Sequence, residues 1–156
     1  MSQSLRLVIG SDAAGIEYKD QIKVDLLADA RVTSLDDLGV HVGDDAASYP
    51  VVGLAAARQI SSGNADRALL ICGTGIGMAI SANKVPGVRA TTAHDSYSVE
   101  RSVLSNNCQV LAIGQRVIGI ELARRLVSEW LDYHFDESSP SAAKVAVITE
   151  YEVRNG

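Results

Sequence analysis

The sequence predicts an α/β fold: three α/β/α layers built on a doubly wound, five-stranded parallel sheet, with a C-terminal helix. Three observations carry that expectation. Short apolar runs alternate with helix-period segments along the whole chain. The runs are continuously apolar, as expected of parallel strands covered on both faces. The 156 residues contain no repeat, linker or low-complexity stretch, so residues 1–156 are read as a single domain with one buried core.

Each element follows from its local pattern. Residues 5–10 (LRLVIG) form the first strand, and 15–30 a helix with Ile16, Ile22, Leu26 and Leu27 on its inner face. Residues 31–38 form a more polar second strand, where Asp36 and Asp37 read as a strand end without chemistry. A loop over 39–49 carries His41, Asp44 and Asp45, all expected to face solvent. Pro50 opens the next helix, which runs to about Ser61. Residues 68–72 (ALLIC) form the third strand, followed by a glycine turn and a short helix to about Lys84. A fourth strand covers 88–91, a helix 96–105, and a fifth strand 109–113 (QVLAI). A strongly periodic helix spans 118–133, and after a loop over 134–140 the last helix runs from about Ser141 to Val153. The expected topology is Rossmann-like, with strand order 2-1-3-4-5. Such a sheet binds ligands where strands 1 and 3 part, at their carboxyl ends. Asp12 and Cys72 stand at that crevice.

Composition narrows the function. The net charge is −5 and the basic residues are scattered, so no stripe is available for nucleic acid. Aromatic residues make up 4% of the chain, too few for base-stacking platforms. No apolar run reaches membrane-spanning length, and residues 1–6 lack the regions of a signal peptide. Cys72 and Cys108 are too few for a disulfide framework, and free thiols fit a reducing, cytoplasmic setting.

The chemistry concentrates in Cys72-Gly73-Thr74-Gly75-Ile76-Gly77, between a buried strand and a helix. Three glycines let the backbone approach a ligand and turn its N–H groups inward. A thiolate at a helix entrance is a competent base, and the same amides can stabilise an oxyanion such as an enediolate. Position and composition leave a buried structural cysteine as an equal alternative. A dinucleotide-binding fingerprint is disfavoured, because Met78 occupies the third glycine position and the turn follows strand 3.

ICGTGIG followed by ISANKVPGVRA resembles the ribose-5-phosphate isomerase B family, which also contains galactose-6-phosphate isomerase subunits. The likeness extends through Gly10-Ser11-Asp12, Ala14-Gly15, Lys19, Tyr49-Pro50, Tyr97-Ser98, Asn106, Val110-Leu111 and 114–119 (GQRVIG). It implies a homodimer or a dimer of dimers whose active sites are shared between subunits. It also implies an aldose–ketose isomerisation through a cis-enediolate, without metal or organic cofactor. Cys72 matches the catalytic base, and Gly73, Thr74, Gly75, Ile76 and Gly77 match the anion hole, with Thr74 counted as catalytic. Asp12 matches a substrate-hydroxyl contact, and Asn106 and Arg116 match substrate- or phosphate-binding positions.

Three departures bear on the substrate. Ala13 and Ser105 stand where the family usually carries histidines, the second of which serves ring opening. Ser138-Ser139-Pro140 replaces one phosphate-binding arginine, and Lys144 stands in for another. A lysine is a point charge, so the phosphate site must be rebuilt. A four-carbon aldose 4-phosphate cannot close a furanose through its esterified O4 and needs no ring opening. The expected reaction is therefore D-erythrulose 4-phosphate to D-erythrose 4-phosphate. The stretch 94–102 (HDSYSVERS) is similar to the tetrulose-phosphate isomerases of erythritol breakdown. Ribose-5-phosphate isomerisation in the pentose phosphate network and a non-catalytic sugar-phosphate-binding subunit are the alternatives.

His94, beside Asp95, reads as a phosphate or hydroxyl contact, against a loop histidine capping backbone. His134 reads equally as a phosphate contact or a helix C-terminal cation. Cys108 reads as a small buried residue, Lys84 and Arg89 as solvated cations, and Asn83 as a loop hydrogen-bonding group.

Overall fold

The computed structural model describes residues 3–43 and 47–156. Asp44 and Asp45 therefore lie outside the described residues. The strands are β1 (Leu5–Ser11), β2 (Val32–Asp37), β3 (Arg67–Cys72), β4 (Ala90–Thr92) and β5 (Val110–Gly114). The helices are α1 (Ile16–Ala28), α2 (Tyr49–Ser61), α3 (Ile76–Ala82), α4 (Ser96–Leu104), α5 (Ile120–Asp132) and α6 (Ser141–Asn155). A 3₁₀ turn, Ala13–Gly15, precedes α1.

All five strands are parallel, and helices cover both faces. Successive residues of each central strand feed opposite cores, as strand geometry requires. Leu7, Ile9, Leu69, Ile71, Leu111 and Ile113 pack under α1, α4 and α5, around the fully buried Trp130. Val8, Leu70, Cys72, Val110 and Ala112 pack under α2 and α3.

The strand order is β2-β1-β3-β5-β4, not the expected 2-1-3-4-5. The five residues of β5 are all buried and pair with β3, from Ala68↔Val110 to Cys72↔Gly114. The three half-buried residues of β4 take the edge position beside β5. The longer, wholly apolar strand thus occupies the place that burial rewards. The exchange leaves β1 and β3 adjacent, so the crevice at their carboxyl ends is where the sequence places it.

Two further expectations are corrected. Leu27 is 62% exposed, and the inner face of α1 is instead formed by Ile22, Leu26 and the buried aliphatic stem of Lys19. Asp37 is more than a strand end. Its two oxygens accept from Lys19 Nζ at 3.0 and 2.9 Å, from Lys23 Nζ at 2.9 Å and from the Gly39 amide at 2.8 Å. Burial pushes the Asp37 carboxyl up, but these donors outweigh it and bring it down to about 2. The pairing is what lets the Lys19 ammonium lie with no exposed surface. No helix is long and apolar enough to cross a membrane among the described residues.

Candidate active site

Cys72 ends β3 and is 4% exposed. Its Sγ accepts the Gly75 N–H at 3.0 Å. Gly75 makes this possible through a left-handed backbone, φ +80°. A Cβ there would also stand 3.0 Å from backbone atoms of Ala112 and Ile113. The turn therefore folds back over the thiol only because residue 75 carries no side chain.

The rest of the loop is tied down on every side. The Ile76 N–H donates to Thr74 Oγ1 at 3.2 Å, and Thr92 Oγ1 donates to the Gly75 carbonyl at 3.0 Å. The amides of Gln115 and Arg116 donate to the carbonyls of Cys72 and Gly73 at 2.9 and 3.0 Å. The Tyr49 ring lies against Gly77, where a Cβ would overlap it. Among the described residues, the Thr74 and Gly77 amides have no protein acceptor. Such donors, held by a rigid loop beside a thiol, are what a developing oxyanion needs.

Three cationic or polar groups converge on this loop. The Arg116 guanidinium packs on Gly73, its Nη1 3.4 Å from the place of a Cβ there. Among the described residues it has no carboxylate partner. His94 Nε2 accepts the amide of Gly114, the β5 residue paired with Cys72, at 2.8 Å. Burial holds its imidazole below the usual range, with Asp95 opposing more weakly. A neutral ring that accepts through Nε2 carries its proton on Nδ1. The backbone-capping alternative therefore describes Nε2, while Nδ1 remains a donor. Asp12 follows β1, and its Oδ1 accepts the Ala14 N–H at 2.9 Å.

Asn106 and Lys144 are not brought to Cys72 within one chain. Asn106 lies between the end of α4 and the start of β5, at the amino edge of the sheet, whereas Cys72 ends β3 at the carboxyl edge. Its Nδ2 donates to the Arg101 carbonyl at 3.1 Å. Lys144 is exposed on the first turn of α6. That helix reaches the turn before β4, where Glu152 accepts the Gly87 N–H at 2.9 Å.

The remaining candidates take structural places. Asn83 exchanges two 2.8 Å hydrogen bonds with the backbone of Ala90, joining α3 to β4. His41 is exposed, with its Nδ1 4.0 Å from Asp37. Arg89 is not simply solvated, because its Nε donates to the Asn107 carbonyl at 2.8 Å. Cys108 is buried, and burial raises its thiol to about 11. The cation at the end of α5 is Arg67, which donates to the carbonyls of Trp130 and Tyr133, so His134 is not needed there. Burial and Arg67 together push His134 down.

Sequence reasoning assigned no role to Tyr49, Thr92 or Gln115. Tyr49, in Tyr49-Pro50, and Gln115, in GQRVIG, lie within motifs that carry the family likeness. Thr92 acts through a contact that only the packed sheet creates.

Comparison with known proteins bears on this site. The family model described as Ribose/Galactose Isomerase matches residues 7–148. The chain is 61% identical to D-erythrulose-4-phosphate isomerase 2 of Mycolicibacterium smegmatis, over 96% of this chain and 98% of that one. It is 45% identical to D-erythrulose-4-phosphate isomerase of Pectobacterium atrosepticum, over 95% of each chain. The structure of ribose-5-phosphate isomerase B from Clostridium thermocellum superposes with a TM-score of 0.88 at 38% identity, covering 97% of this chain and 99% of that one. The chain that carries this cysteine-headed glycine loop at the β1/β3 crevice, matched over nearly its full length to these proteins, belongs to the Ribose/Galactose Isomerase family.

Proposed function

We propose that this sugar-phosphate isomerase interconverts D-erythrulose 4-phosphate and D-erythrose 4-phosphate by a 1,2-proton shift, with Cys72 as base. The observation that carries this reading is the 3.0 Å contact from the Gly75 amide to Cys72 Sγ. The N–H fixes the sulfur beside the unpaired amides of the loop, in place to remove a proton as a thiolate. The thiolate takes the proton from C1 of the ketose, and the electron pair left behind forms the cis-enediolate. Transfer of the O1 proton to O2 and return of the carbon-bound proton from Cys72 to C2 then give the aldose, with its carbonyl at C1 and a hydroxyl at C2. The Thr74 and Gly77 amides stabilise the enediolate oxygens. The Thr74 hydroxyl accepts from Ile76 and keeps its own proton for a substrate oxygen. Asp12 receives a substrate hydroxyl, and Arg116 and His94 donate to the substrate from the near side. Asn106 and Lys144 of the partner subunit close the site in a homodimer or dimer of dimers working in the cytoplasm.

Alanine at 13 and serine at 105 support the four-carbon substrate, because an open-chain sugar needs no ring-opening acid. The names of the relatives at 61% and 45% identity point the same way. The structural likeness to a ribose-5-phosphate isomerase favours the second reading, a five-carbon substrate. Steady-state assays separate them: kcat/KM on D-erythrulose 4-phosphate is expected to exceed that on ribose 5-phosphate, and the reverse order would sink the four-carbon reading. Solvent deuterium should enter next to the carbonyl. Cys72→Ala should slow that exchange by about 10²–10⁴-fold while leaving the melting temperature in place. Full exchange in the variant would remove Cys72 as base, and no exchange in the parent would mark a non-catalytic subunit.

A further inference from the structure

Arg101 has no part in the site described so far. It lies on α4 and lines a cavity of about 590 Å³ together with Asn106, Arg89, Ser98 and Glu152. Its donors are incompletely used. Nη2 donates to Glu100 at 2.7 Å, and Nη1 reaches Ser105 Oγ only at 3.4 Å. Nε is buried with no acceptor. A buried donor of a cation left without an acceptor is rare, and the side chain as a whole is 38% exposed, so an entering anion would meet the unused N–H groups of Nη1 and Nη2. Arg89 adds a second guanidinium, with Nε committed to the Asn107 carbonyl. The carboxylates nearby are already engaged, Glu100 with Arg101 and Glu152 with the Gly87 amide.

Arg101 is also placed by the same residues that mark the substrate. Asn106 holds the Arg101 carbonyl, and Ser105 is small enough to leave the guanidinium room beside it. The stretch 138–140 supplies no cation. We infer that Arg101 binds the substrate phosphate, delivered together with Asn106 to the Cys72 loop of the partner subunit. This rests on the reading of a shared sugar-phosphate site. A guanidinium grips a phosphate through two parallel N–H groups, which Lys144 cannot do. Its seat on the last turn of α4 gives it a fixed position.

The test uses the full-length protein with Arg101→Gln and Arg101→Lys, assayed on D-erythrulose 4-phosphate and for competitive inhibition by inorganic phosphate. Losing a charge-assisted pair should raise both KM and the phosphate inhibition constant about 10- to 100-fold in Arg101→Gln, with kcat changed far less. Arg101→Lys should fall between that variant and the parent. Mixing Cys72→Ala subunits with Arg101→Gln subunits should restore low-KM activity, because one site per hybrid dimer joins an intact Cys72 to an intact Arg101. An unchanged phosphate inhibition constant overturns the inference, and so does the absence of rescue. Failure of the four-carbon reading looks different: a parent that prefers ribose 5-phosphate would still show the loss of phosphate inhibition in Arg101→Gln.

Discussion

Gly75 carries the geometry on which the thiol depends. Its φ of +80° returns the chain so that its own amide meets Cys72 Sγ. An L side chain in that conformation costs about 1–2 kcal/mol. Here the cost adds to a 3.0 Å approach to the β5 backbone, which has nowhere to move. Gly75→Ala should therefore lower the melting temperature and cut deuterium exchange more steeply than stability. Gly119→Ala is the matched control, since a Cβ there meets nothing within 4 Å and φ is −70°. Equal activity in the two variants would show that the loop tolerates relaxation of the Sγ contact.

At the scale of the elements, the junction of α1, β2 and the loop after it depends on one buried ion pair. Lys19 and Lys23 both end on Asp37, which also takes the Gly39 amide. Gly39 in turn accepts the amide of Ser11, the residue before Asp12. The pair thus braces the entrance to the site, although it performs no chemistry. The Asp37 carboxyl titrates at about 2 in the folded chain, below the usual carboxylate range. Its contribution to stability, roughly 2 kcal/mol, is present above the unfolded pKa and disappears as pH falls through the folded one. Urea unfolding at several pH values should show that loss between about pH 5 and pH 2, and Asp37→Asn should flatten that slope and lower stability at pH 7. An unaltered acid slope in Asp37→Asn would contradict this account.

At the scale of the whole molecule, the proposed shared site would draw on two distant surfaces of the chain. Val51 on α2 and Ile76 and Ile80 on α3 are 58%, 55% and 56% exposed, an apolar patch beside the Cys72 loop. Asn106, Arg101 and α6 sit at the opposite edge of the sheet. Two copies could bring the two edges together, covering the patch and completing two sites. Ile80→Asp should shift the protein to monomers in sedimentation and abolish turnover while the isolated fold persists. A monomeric Ile80→Asp protein with full activity would refute the shared site.

The alternation of apolar runs and helical periods determined the layered α/β class, since each signal is local. The glycine loop after Cys72 was legible for the same reason: its left-handed turn and its helix entrance lie within six residues. Strand order was not, because β4 and β5 both read as short apolar runs, and only competition for the buried place beside β3 put β5 inside. The Lys19–Asp37 pair was hidden likewise, as charges 18 residues apart look solvated until folding encloses both. Leu27 read as core because periodicity counts apolar residues without knowing which face a helix presents. From local pattern alone came a thiol at the head of a glycine loop, with a structural cysteine as an equal reading. The tertiary structure decided which groups stand near that thiol, because the two edges of a parallel sheet are separated by the length of its strands. Arg116 and His94 lie at the carboxyl edge with Cys72, and Asn106 lies at the other.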